Sequence, residues 1–240
     1  MNLEEIINYR RSVRHYKVDP LDAEKVKYCI ELATLAPNSS NMQLWEFYHV
    51  TDTTILKKLS EACLNQGAAT TAQQMVVFVT RQDLYRKRAA KILDLETQNI
   101  LKNTPELKQA KRIKTRKLYY GKVMPFLYMS FFGFFGIIRK ILVNIIGLFR
   151  PIVYQVSEND MRVVVHKTCA LAAQTFMLAM ANEKYDTCPM EGFDSKKVKG
   201  ILKLPYGAEI NMVVSCGIRD ENGVWGDRMR LPFDEVYRKI

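Results

Sequence analysis

The chain reads as a single α+β domain with an antiparallel or mixed sheet, and three observations carry that expectation. Short β-branched or aromatic runs (Trp45 to Val50, Met75 to Thr80, Asn211 to Gly217) are interspersed with helical patterns. They do not alternate in regular βαβ order, which argues against a parallel doubly wound sheet. The 240 residues are 48% hydrophobic and 25% charged, enough for one sizeable core.

Taken in order, residues 2 to 10 place Leu3, Ile6 and Ile7 at helical spacing and run into Arg10-Arg11-Ser12-Val13-Arg14. From Asp22, Val26, Cys29, Ile30 and Ala33 follow the repeat of an amphipathic helix that ends before Pro37. The polar turn Pro37 to Asn41 leads into the first strand, and residues 54 to 64 make a short helix. Met75 to Thr80, continuously apolar, fits a strand buried on both faces. Residues 81 to 122 are charged and predict one long helical stretch. Asp160 to Asn182 is the strongest helical pattern, with an apolar face assigned to Val164, Leu171, Phe176, Leu178 and Met180. A loop at Cys188 to Asp194, a lysine-rich short helix, the last strand and the tail Arg228-Met229-Arg230-Leu231-Pro232 complete the chain.

Composition narrows the function classes. Eleven Gly and eight Pro exclude collagen-like and low-complexity chains. Five cysteines in odd number, without CxxC or CxxH spacing, suggest neither a disulfide framework nor a metal site. With Glu4 and Glu5 ahead of the first base and no apolar leader, the expected location is the cytoplasm. The net charge of +11 is localised: residues 81–150 carry +12 and the rest of the chain −1. Such a segment suits anionic lipid, nucleic acid or an anionic cofactor. Nucleic acid is disfavoured, because Tyr85, Tyr119 and Tyr120 are the only aromatics of residues 81–122 and two of them are adjacent.

Four groups of residues can carry chemistry. Arg10, Arg11 and Arg14 with Ser12 offer planar donors matched to phosphate oxygens, or a solvated basic turn. Pro37, Asn38, Ser39 and Asn41, followed by Gln43 and Trp45, make a capped turn, or a donor and acceptor edge for a heteroaromatic ring. Pro189, Met190, Glu191 and Gly192 form a loop that can aim amides at a ligand, or only a connection. Arg228 and Arg230, at i and i+2, share a face if the tail is a strand. His15, His49 and His166 have no sequence-local partner, and no GxGxxG follows a strand, so a resident Rossmann site is not indicated.

In this order the groups RRSVR, APNSSNMQLWEF, PMEGF and RMRLP resemble the FMN-dependent nitroreductase family, over residues 1–80 and 160–240. The resemblance implies an intertwined homodimer with FMN at the interface. It assigns Arg10, Arg11, Ser12, Arg14, Arg228 and Arg230 to the phosphate and ribityl chain. It further implies that Pro37, Asn38, Ser39 and Asn41 reach the partner's flavin, that Pro189 to Gly192 lie at the N5 edge, and, more loosely, that Asn65 and Gln66 touch the ring. Leu44 departs from the proline of many relatives. The implied activity is transfer of hydride or electrons from NADH or NADPH to a nitroaromatic, quinone or similar small conjugated acceptor, with no catalytic side chain and no metal. Dehalogenation or dehydrogenation on the same scaffold is the alternative, and a non-enzymatic membrane or nucleic-acid binder using the basic segment is another. The middle, about residues 81–155, has no aligned motif. Its apolar run Val123 to Phe149 is expected to be a pocket lid rather than a transmembrane span, since Arg139 and Lys140 interrupt it; contact with an anionic membrane is the competing expectation.

Overall fold

The computed structural model describes residues 1–240. Four strands, β1 (Trp45–Val50), β2 (Gln74–Thr80), β3 (Asp186–Met190) and β4 (Glu209–Gly217), pair in the order β1-β2-β4-β3, antiparallel throughout. All seven positions of the central strand β2 are buried, which is why it reads as an unbroken apolar run. Val76 and Phe78 face one layer while Met75, Val77 and Val79 face the other.

The first layer consists of α2 (Ala23–Ala33) and the long α9 (Glu158–Asn182). Asp22 caps α2, and Ser157 with Asp160 forms a reciprocal capping box at α9. Met161, Val165, Cys169, Ala172, Phe176 and Met180 make the buried stripe of α9. The face expected from sequence is therefore corrected: Phe176 and Met180 belong to it, but Leu171 is exposed and Val164 and Leu178 are only half-buried. A helix this rich in Ala and Met leaves its phase ambiguous until the sheet selects one face. The second layer contains α3 (Thr53–Ala62), the single turn α4 (Gly67–Thr70) and α10 (Ser195–Ile201). All five cysteines are buried and none is bridged.

Between β2 and α9 the chain leaves the sandwich. The long stretch expected from residue 81 is two helices, α5 (Tyr85–Asn103) and α6 (Glu106–Leu118), because Thr104 is extended ahead of Pro105 and the helix cannot continue through it. A π-helical turn, Tyr119–Val123, then leads to α7 (Met124–Tyr128) and α8 (Phe134–Gly147). The contact with the body is a smaller core in which Met42 and Leu44 meet Ala89, Tyr120, Met124 and Tyr128. Leu44 thus fills an apolar seat in this core. By length and apolarity α9 alone would suffice to cross a membrane, and it is a core helix of the sandwich. The N-terminal helix α1 (Leu3–Tyr9) and the final turn α11 (Phe233–Val236) lie at the periphery, and neither buries a residue.

Candidate functional site

The basic residues at the two ends of the chain meet. Arg10, Arg11, Ser12, Arg14, Arg228 and Arg230 line one cavity of about 300 Å³, together with Trp225 and Asp227. Two devices hold it in place. The buried carboxylate of Asp186 on β3 accepts from the Arg219 amide at 2.8 Å and from its guanidinium Nε at 2.9 Å, while Arg219 Nη2 also donates to the carbonyl of Tyr9. Arg228 donates from Nη2 to the carbonyls of Ile7, Asn8 and Arg10, at 3.1, 3.1 and 2.8 Å, and so satisfies the C-terminal end of α1. The tail around Arg228 and Arg230 is not a strand, so their convergence comes from this cap and not from the i, i+2 alternation expected for an extended segment.

None of Arg10, Arg11, Arg14, Arg228 or Arg230 pairs with a carboxylate. Burial lowers the Arg10 guanidinium from its ordinary value, and Arg228, Arg230 and Arg11 lower it further. Crowded cations that form no ion pair with a carboxylate are stabilised by an anion that enters. Trp225, absent from the sequence reading, supplies a face for Arg14, whose guanidinium lies 5.5 Å from the ring centroid. The available signal was an aromatic three residues before Arg228.

The segment after Arg10 runs beside β3: Ser12 bridges to Thr187, and the Val13 amide donates to the Thr187 carbonyl at 3.1 Å. This brings the Pro189 to Gly192 group to the arginine cavity's side of the sheet. Pro189 and Met190 are strand residues rather than loop, and the Met190 side chain is in the core. Only Glu191 and Gly192 form the turn, and their amides donate to no group of the chain. Gln66 Nε2 donates to the Gly192 carbonyl at 2.7 Å and so fixes that turn, whereas Asn65 lines a different cavity with Leu56, Ser60 and Ala69.

The turn Pro37 to Asn41 is elsewhere. It precedes β1, at the opposite edge of the sheet from β3. Asn38 Oδ1 accepts from the Gln43 amide, Ser40 Oγ meets the Tyr119 hydroxyl at 2.7 Å, and Ser40, Asn41 and Gln43 all take positive φ. Three such residues in four positions are costly and are held by the surrounding contacts.

The histidines do have partners, all distant in sequence: His15 with Asp220, His49 with Gln74, and His166 with Glu209 at 3.2 Å. Glu209 also accepts from Arg162 Nε at 2.6 Å. The His166 hydrogen bond, with the Arg162 contact, holds the Glu209 carboxyl down at about 2. This network ties α9 to β4 and lies apart from the arginine cavity.

A model described as the nitroreductase family matches residues 7–218. The protein DrgA of Synechocystis is 27% identical over 233 residues, covering 97% of this chain and 91% of its own. MhqN of Bacillus subtilis, whose name carries a provisional NAD(P)H nitroreductase assignment, is 24% identical over 213 residues, 88% of this chain and 86% of its own. A provisionally named nitroreductase of Exiguobacterium sibiricum, solved in complex with FMN, superposes with a TM-score of 0.68 at 18% identity, covering 100% of this chain and 98% of that one. With the antiparallel four-stranded sheet and the match over residues 7–218, the chain belongs to the nitroreductase family.

Proposed function

We propose that the chain is an FMN-dependent oxidoreductase that takes reducing equivalents from NADH or NADPH and delivers them to a nitroaromatic, quinone or similar conjugated small molecule. The observation that carries this reading is the half-buried arginine cavity without a carboxylate partner. Its donor set fits the terminal phosphate of a flavin mononucleotide: Arg10, Arg14 and Arg230 supply planar cationic donors and Ser12 a hydroxyl. Bound there, the flavin would supply the hydride and electron chemistry, so no side chain has to act as acid, base or nucleophile. The Glu191 and Gly192 amides are free donors on the same side and would face the polar edge of the ring.

The working unit in this proposal is a homodimer. The Asn38 to Asn41 turn and the Glu191 turn belong to opposite sheet edges, three strand spacings or roughly 14 Å apart. One ligand touches both kinds of turn most simply when the first comes from a second subunit. The apolar tail residues Met229, Leu231, Phe233 and Val236, all exposed, supply surface for such a partner.

The test is the absorbance spectrum of the purified protein and the identity of the released chromophore. FMN at about one per subunit is expected, and Arg10→Ala or Arg230→Ala should weaken its binding by roughly 1.5–3 kcal/mol. Wild-type affinity in both variants would overturn the phosphate assignment.

A further inference from the structure

Helix α8 is turned inside out. Its buried face consists of Gly136, Arg139 and Val143, whereas Phe134, Ile137, Ile141 and Ile145, with Leu148 just past its end, are exposed in one outward stripe. At 1.5 Å per residue the fourteen-residue helix presents this stripe over about 21 Å. Phe131 and Phe132 extend it at one end and Phe149 at the other. A helix on a water-facing surface shows the reverse pattern.

Polar devices on the inner side hold this orientation. The Glu158 carboxylate accepts from the amides of Phe131, Gly133 and Phe135, at 3.0, 2.9 and 3.1 Å. Arg139, only 1% exposed, donates to the carbonyls of Val156, Phe126 and Met129. Rolling the apolar stripe inward would break these bonds and leave carbonyls of the connecting segments unsatisfied. Arg139, which in the sequence only interrupts the apolar run, is thus the pin and not part of the charged surface.

The remaining charge indicates what the stripe meets. No acidic residue occurs from Leu107 to Ser157, while Lys140 lies beside the stripe and Arg150 just beyond its end. Lys111, Lys114, Lys117 and Lys122 are exposed on α6 and the π turn of the same acid-free segment. A second copy of this chain docked here would set cations against cations. An anionic bilayer complements both features, taking the apolar stripe at the acyl boundary and Lys140 and Arg150 among its headgroups. We propose that α8 with its flanking phenylalanines is a membrane-contact surface, by which the protein lies on anionic lipid without spanning it. This inference is independent of the cofactor assignment.

Flotation of the full-length protein with vesicles tests it, using phosphatidylcholine alone and phosphatidylcholine mixed with phosphatidylglycerol. Binding is expected on the anionic vesicles only, and should fall at least about tenfold between roughly 0.05 and 0.5 M NaCl as exposed charges are screened. Lys140→Gln should reduce partitioning by roughly fivefold. The double variant Ile137→Asp with Ile141→Asp alters two exposed positions remote from the core, and should lose about tenfold or more. Unchanged circular dichroism and chromophore content would show that it remains folded. The proposal is overturned if the parent fails to float with anionic vesicles at low salt, or if the double variant floats as well as the parent. It is equally overturned if the double variant converts a larger assembly into a smaller one while neither protein binds lipid, since the face would then be a protein–protein contact.

Discussion

Helices α9 and α8 contrast two ways of relating residue type to burial. In α9 the aromatic Phe176 is fully buried against Phe78, with ring centroids 5.6 Å apart. In α8 the fully buried large side chain is an arginine, and Phe132 just ahead of the helix is 97% exposed. Both segments are rich in apolar residues, yet α9 packs on a sheet while α8 is attached through a carboxylate and a guanidinium. Apolar character predicts burial only where the same chain supplies the opposing surface.

Substitutions can break this contrast. The largest effect is expected for Phe176→Ala, a loss of about 3–5 kcal/mol in denaturant unfolding, from lost transfer energy plus the cavity left beneath the sheet. Arg139→Ala should follow at about 2–3 kcal/mol, because one buried and two part-buried carbonyls lose a charged donor, and the loss should be read most directly as faster hydrogen exchange of α8 amides. If Arg139→Ala left exchange in α8 unchanged, the pin would be incidental and the two helices would differ less than their burial suggests.

A smaller effect distinguishes the α9–β4 network. Glu209 titrates in the folded chain at about 2, below its ordinary value, so its stabilisation is present above the ordinary carboxylate range and is lost as pH falls from about 4.5 toward 2. Glu209→Gln should flatten that acid limb by less than about 1 kcal/mol, the pair being partly exposed. Smallest of all, Phe132→Ala should change stability by no more than about 0.5 kcal/mol. A large loss there would mean that the residue is covered, against the exposed face described for α8.

Much of the sandwich was legible in the residues because local signals agree with the fold. Trp45 to Val50 is β1 as expected, and Asp22 and Pro37 bracket α2. The strand Asp186–Met190 was missed, since Asp-Thr-Cys-Pro-Met has neither alternation nor a β-branched run, and pairing with β4 alone makes it a strand. In the arginine cavity the residue types were readable, but the means of convergence were not. The Asp186–Arg219 clamp and the Arg228 cap join positions more than thirty and two hundred residues apart. The inversion of α8 was hidden for a related reason: composition shows that Arg139 interrupts an apolar run, but not which way it faces.

The five buried cysteines have a consequence for endurance. Burial raises every one of their thiols above the ordinary value: Cys29 and Cys63 to about 11, Cys169 to about 12, and Cys188 and Cys216 also upward. At neutral pH roughly one in ten thousand of the Cys29 or Cys63 side chains is ionised. Quinones and partly reduced nitroaromatics are soft electrophiles that arylate thiolates. With all five thiols protonated and buried, the chain offers such electrophiles almost no thiolate to attack.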